Sequence, residues 1–317
     1  MKCDLENMKI AGDIHKKIKV YIKENIKIDM KLFDLANQIE DQIKILSNYD
    51  SNNPLYSGIA FPTGLSINNC AAHWTPQKDN IKKLKKMDVI KIDFGVHIYG
   101  SIIDSAFTHS FHSKYDKLLE ASKTSTELAI KLSRPDMLLS EIGREIEENM
   151  KSYEINLNGK VKKIVPVNNL CGHEINKYQI HGNKVIPNIY LPKYNERIKE
   201  NEFYAVETFA TTGKGETYED KKNCSHYMIN YKEFDITNTV YEEDFYNNII
   251  QYYNTLAFTD RWIIGNSNET KQCLKTLCDK KIIVEYPPIY DIDKKSYISQ
   301  FEETIYIDET QTYILSN

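Results

Sequence analysis

Residues 88–111 constrain the fold most. Ile90, Ile92, Phe94, Val96 and Ile98 alternate with Lys91, Asp93, Gly95, His97 and Tyr99. Apolar residues at a period of two belong to a half-buried β-strand. Gly100 interrupts the run and residues 101–111 alternate again, which predicts a hairpin. In its second strand Phe107 and Phe111 share one face, and Asp104 takes the other with Ala106 and Thr108. In the matching registers Asp93 and Asp104 are direct or diagonal neighbours, with Cβ atoms roughly 5–8 Å apart. A slip of one residue would put them on opposite faces. Two carboxylates so close in a dry site repel, and either one takes up a proton or a cation sits between them. On a wetted strand face the same pair would be ordinary solvated acids.

Three further residues bear on that choice. Glu207 interrupts the apolar run Ala205-Val206-Glu207-Thr208-Phe209. Glu302 takes the strand face opposite to Phe301, Ile305 and Ile307. His173 follows Gly172 in Asn168-Asn169-Leu170-Cys171-Gly172-His173. Charged residues rarely occupy buried strands unless they are paired or bound to metal. Four carboxylates and one imidazole make a hard, oxygen-rich set that suits two divalent ions of the Mn, Fe, Co or Zn kind. Two such ions would balance four negative charges.

Elsewhere the pattern mixes helices and strands without a regular βαβ rhythm, which predicts an α+β fold in one domain spanning residues 1–317. Ile10, Ile14, Ile18 and Tyr21, then Leu35, Ile39, Ile43 and Leu46, repeat at helical spacing, with Asp29 as a candidate cap. Helices are expected at 116–132, at 140–150 with Ser140 as cap, at 241–263 and at 269–279. Further strands are expected at 161–167, 203–209, 297–307 and 312–315. A net charge of −4 argues against a protein built to coat a nucleic acid. Six cysteines without a C-x-x-C pair read as reduced thiols, and no apolar run is long enough to span a membrane. Cytoplasm is the compartment this predicts.

Several motifs in order resemble one family. Ala60-Phe61-Pro62-Thr63-Gly64 and Asn68-Asn69-Cys70-Ala71-Ala72-His73 resemble the opening of the methionine aminopeptidase catalytic domain. Lys91-Ile92-Asp93-Phe94-Gly95 and Ile103-Asp104-Ser105-Ala106-Phe107 resemble its two aspartate motifs. Gly172-His173, Glu207-Thr208-Phe209 and Gln300-Phe301-Glu302 resemble the remaining three. Cys224-Ser225-His226-Tyr227-Met228 and Tyr286-Pro287-Pro288 are similar to type 2 features. The stretch 224–286 resembles the helical subdomain that type 2 enzymes insert.

The resemblance implies a pita-bread fold, a curved antiparallel sheet with outer helices in two pseudo-symmetric halves. It implies that Asp93, Asp104, His173, Glu207 and Glu302 bind two metals, with Asp104 and Glu302 bridging them. His73 and His181 would contact the substrate, and Glu207 would carry the proton as a catalytic residue. Phe61, Ile180, His226, Ala257 and Tyr286 would surround the methionine side chain, and fumagillin-type epoxides would alkylate His73. Two metals would activate a bridging water and polarise the scissile carbonyl. The substrates implied are nascent polypeptide N-termini with a small second residue, with the ribosome as a candidate partner and the chain as a monomer. Cys171 departs from the pattern, since a polar Asn or a small residue is expected there, and its place beside a ligand motif predicts that it lines the pocket. Two other readings use the same fold: a proline-specific peptidase, and a metal-free binding protein that has lost ligands.

Overall fold

The computed structural model describes residues 2–230, 240–263 and 268–317. Its first half is built on the expected hairpin, Val89–Ile98 with Ser101–Ser110. The register places Asp93 opposite Ala106 and Gly95 opposite Asp104, so the two aspartates are diagonal neighbours on one face. A third strand, Ser57–Ile67, pairs with the Asp93 strand. Helices α1 (Leu5–Asn25) and α2 (Leu32–Leu46) cover the outer face, where Ile14, Ile18, Leu35 and Ile39 pack with Ile92, Phe94 and Val96.

The second half repeats the plan. Cys171–Ile175, Glu202–Thr211, Ile298–Ile307 and Thr312–Ile314 lie in an antiparallel sheet. Helices α3 (Asp116–Leu132) and α4 (Leu139–Lys151) cover its outer face through Leu118, Ala121, Ile142 and Ile146 against Tyr204, Val206 and Ile305. The chain is therefore α+β, with helices outside two antiparallel sheets.

Several local expectations change. The Asp93 strand is buried on both faces rather than half-buried, with Lys91 and His97 as inaccessible as their apolar neighbours. Its inner face is roofed by the rest of the molecule, which no strand period reveals. The buried stripe of α1 runs Met8, Ala11, Ile14, Ile18 and Ile22, leaving Ile10 and Tyr21 exposed. Neither Asp29 nor Ser140 is a cap. Helix α2 starts at Leu32, whose N–H donates to Lys82 O, and α4 starts at Leu139, whose N–H donates to Glu196 O. Carbonyls from distant chain segments satisfy the free amides that capping side chains would otherwise take.

Over residues 224–286 a separate apolar cluster forms. Helix α5 (Val240–Tyr253), helix α6 (Asn268–Asp279) and the antiparallel pair His226–Ile229 with Ile283–Tyr286 bury Tyr227, Ile249, Phe258, Leu277 and Ile283 together. The helix expected over 241–263 ends at Tyr253, and a short 3-10 turn, Asp260–Trp262, follows. Residues 231–239 and 264–267 of this stretch lie outside the described residues.

The halves meet where Ser101–Ser110 runs beside Ile298–Ile307. These strands belong to different sheets, and hydroxyl groups join them. Thr304 Oγ1 accepts from Asp104 N at 2.9 Å and donates to Asp104 O at 2.6 Å. Thr108 Oγ1 repeats this with the N and O of Gln300, both at 2.7 Å. Ser105 Oγ donates to Glu302 O at 2.7 Å. Each threonine hydroxyl acts as a neighbouring backbone would, at a wider spacing. Thr304→Val would leave a buried N–H and a buried C=O without partners. It should destabilise the protein by about 2–4 kcal/mol, seen as a lowered urea midpoint. An unchanged midpoint would show that the seam holds without the hydroxyl.

Candidate metal centre

Followed across the strands, the registers lay two adjacent rows over the inner face. One row holds Gly64, Asp93, Ala106, Glu302 and Glu207. The next holds Phe61, Gly95, Asp104, Thr304, Ala205 and His173. All five expected ligands thus point into one space from five neighbouring strands. Gly95, Ala106 and Ala205 separate them, and these small side chains leave the floor open.

Ligand-type atoms of Asp104, His173 and Glu302 lie within 4.8 Å of one another. His173 Nε2 is 3.5 Å from Asp104 Oδ2 and 3.9 Å from Glu207 Oε1. Gln300, in the row beyond Glu302, aims its amide nitrogen at three carboxylates. It lies 3.1 Å from Glu207 Oε2 and 3.4 Å from both Asp93 Oδ2 and Glu302 Oε2. An amide has two N–H groups, so it cannot satisfy all three. Asp93 Oδ1 and His173 Nδ1 are buried without any partner. Burial, and then the charges of neighbouring acids, push Asp93, Glu207 and Glu302 well above the usual carboxylate range. For Asp93 and Glu302 the foremost neighbour is Asp104, and Glu207 also feels Asp104 first. Unsatisfied buried oxygens, crowded acids and a single imidazole are the donor set of a divalent-cation site, so these residues fit the expected metals.

The centre is the floor of a cavity. It is lined by His73, His181 and the five expected ligands, with Phe61, Ile180, His226, Ala257 and Tyr286. A Cβ on Gly95 would stand 2.2 Å from the Phe61 ring, so glycine there lets Phe61 lie against the strand. His73 holds a φ of 61°, a left-handed conformation that a non-glycine residue keeps only when its surroundings enforce it. Its ring is 5.7 Å from Tyr286 and 5.9 Å from His226. His181 meets the edge of His173 at 4.5 Å. Burial holds His73 down to about 4, and burial with the neighbouring His173 and His73 holds His181 well below the usual imidazole range. Both imidazoles are therefore neutral near pH 7.

Sequence reasoning missed other lining residues: Pro62, Gly64, Ala72, Leu170, Phe209 and Met228. The wall at the His173 strand is Leu170, and Cys171 is not among the lining residues, contrary to expectation. Its thiol is pushed up to about 12 by burial and by the charge of Glu207. Gln300 was legible in principle, because it shares the strand face of Glu302.

The model of metallopeptidase family M24 matches residues 6–260. The chain is 41% identical to methionine aminopeptidase 2A of Arabidopsis thaliana over 98% of its own length and 69% of that protein. It is 39% identical to methionine aminopeptidase 2 of Kluyveromyces lactis, over 98% of its length and 75% of that protein. A solved structure of a thermophilic Arx1 superposes with a TM-score of 0.84 at 16% identity, covering 98% of this chain and 90% of that one, a likeness of fold alone. Sheets, cavity, donor set and sequence agree: the chain belongs to metallopeptidase family M24, with the pita-bread fold, among the type 2 methionine aminopeptidases.

Proposed function

We propose that this chain removes the initiator methionine from nascent polypeptides in the cytosol. Two divalent ions would be held by Asp93, Asp104, His173, Glu207 and Glu302. The observation that carries this reading is the pair of ligand rows at the floor of a cavity whose other walls are largely apolar and aromatic. Residues 224–286 serve as an inserted subdomain that closes one side of that cavity through His226, Met228, Ala257 and Tyr286.

Cations bound there would supply the positive charge that lowers the pKa of the attacking water and polarises the scissile carbonyl. The chain supplies the rest. Glu207, buried on the floor, takes the proton from that water and returns it to the leaving nitrogen. His73 and His181, kept neutral by burial, offer N–H groups to the oxygen on which charge develops. Phe61, His226 and Tyr286 present ring faces and edges to the thioether, contacts worth roughly 0.3–1.5 kcal/mol each. The acids of the cavity floor also suit a free α-amino group.

Purified protein should cleave Met-Ala-Ser and leave Xaa-Pro peptides intact; the reverse preference would favour a proline-specific enzyme. Glu207→Gln should lower kcat by about 10²–10⁴-fold, read from steady-state rates with metal in excess.

Metal should also raise the melting temperature, with a pH dependence of fixed sign. Asp93, Glu207 and Glu302 have raised pKa values in the metal-free fold. Their contribution to stability is present below the ordinary carboxylate range and is lost as pH rises through the raised values. A divalent cation binds the deprotonated acids and reverses that loss. The increase in melting temperature on adding Mn²⁺ to chelator-treated protein should therefore grow between pH 6 and 8, by about 2–4 °C per kcal/mol. Asp93→Asn should shrink it. A shift independent of pH would count against these ligands.

A further inference from the structure

Behind the apolar end of the cavity lies a buried ring of polar groups that the reaction does not use. Glu40 sits on α2 with 3% exposure. Its Oε2 accepts from Arg261 Nη1 and from Trp262 Nε1, both at 2.9 Å, and its Oε1 accepts from Arg261 Nη2 and, at 3.4 Å, from the backbone N–H of Thr63. Arg261 Nη2 donates onward to Thr75 Oγ1 at 3.3 Å. Thr75 N donates to Ser225 Oγ at 3.4 Å, and Ser225 Oγ lies 3.2 Å from His226 Nδ1. His226 Nε2 lies 3.3 Å from Pro62 O, and Pro62 precedes Thr63, which closes the ring.

The ring dictates the state of His226. A carbonyl oxygen only accepts, so Nε2 carries the hydrogen and Nδ1 is left as an acceptor for the Ser225 hydroxyl. Burial, the neighbouring His73 and the Arg261 charge keep this imidazole neutral, down to about 3. The ring also spans five segments: α2, the Phe61 strand, residues 74–77, the His226 strand and the turn after Ala257. Cavity residues on or beside those segments include Phe61, Pro62, His226 and Ala257. Gln77 Nε2 donates to Asp260 Oδ1 at 2.8 Å, and Phe258 exchanges backbone hydrogen bonds with Tyr227, so the Ala257 segment is tied at two more points. The ion pair is thus the joint between the helical stretch and the catalytic sheet, placed directly behind the pocket wall.

We propose that the Glu40–Arg261 pair is the specificity-determining element of this enzyme, positioning Phe61–Pro62, His226 and Ala257 so that the pocket accepts an unbranched side chain and rejects a branched one. The inference rests on the methionine pocket proposed above. Glu40 and Arg261 touch no substrate; they act by holding the walls at one separation. A carboxylate with four donors and a bidentate guanidinium suits that task because its geometry is fixed in two directions. Loosening it would widen the pocket, leaving the metal floor and Glu207 untouched.

The test compares wild type, Glu40→Gln and Thr75→Val on Met-Ala-Ser, norleucyl-Ala-Ser and Leu-Ala-Ser, with metal in excess. Glu40→Gln weakens the ion pair, and Thr75→Val, nearly isosteric, removes only the link from Arg261 toward Ser225. Circular dichroism melts establish that each variant is folded, and Thr75→Val carries the test alone if Glu40→Gln does not fold. The expected result is a raised KM for Met-Ala-Ser with kcat nearly unchanged. The kcat/KM preference for methionine over leucine should fall by about tenfold in Glu40→Gln and by about twofold in Thr75→Val, within the range that pocket fit to one carbon group commands. A purely structural role would lower the active fraction and slow every substrate alike. An unchanged methionine-to-leucine ratio in folded variants, with the wild type cleaving methionyl peptides, overturns this inference alone. A wild type that cleaves no methionyl peptide overturns the proposed function, and this inference with it.

Discussion

Four carboxylates share one buried floor, and each lies a strand spacing or a diagonal from the next. At 5 Å and an effective dielectric of 20, two such charges repel by roughly 3 kcal/mol. Gln300 reaches three of the four acids and cannot satisfy them all. Burial and mutual charge favour the protonated forms of Asp93, Glu207 and Glu302, and divalent cations held there would take the acids as ligands instead. The small residues Gly95, Ala106 and Ala205 between them belong to the same design, since any larger side chain would occupy the space where charge must be balanced.

The floor exists only because two half-sheets meet at a set register. Asp93 and Asp104 come from one half, and His173, Glu207 and Glu302 from the other. Thr304 and Thr108 fix the meeting by taking the backbone groups of Asp104 and Gln300 with their hydroxyls. A slip of one residue at this seam would turn Glu302 and Glu207 away from the aspartates. The seam therefore determines the chemistry as much as the ligands do.

Selectivity is assembled from other parts. The cavity wall opposite the floor combines Phe61 of the first sheet with His226, Ala257 and Tyr286 from the stretch 224–286. These surfaces come from chain segments far apart in sequence, and a buried acid and guanidinium join them. Neutral imidazoles at His73, His181 and His226 follow from their burial, so the pocket carries hydrogen-bonding groups that add no positive charge beside the acids.

The hairpin, its acidic face and the Glu302 strand were legible in the sequence because strand period is a local property. Asp93 and Asp104 alone did not identify a site; Glu207, Glu302 and His173 in apolar strand contexts, and the resemblance of all five motifs, in order, to one family, pointed to it. The starts of α2 and α4 were not legible, since distant carbonyls of Lys82 and Glu196 take the place of caps. Nor was the burial of Lys91 and His97, or the withdrawal of Cys171 from the cavity wall in favour of Leu170. By itself the sequence determined which residues carry charge and on which strand face each one lies. Only the tertiary structure decided that the two faces join in one floor, that Gln300 stands among the acids, and that Glu40 meets Arg261. Side-chain period reports one strand at a time, whereas register between strands, and contact between segments two hundred residues apart, are set by packing of the whole chain.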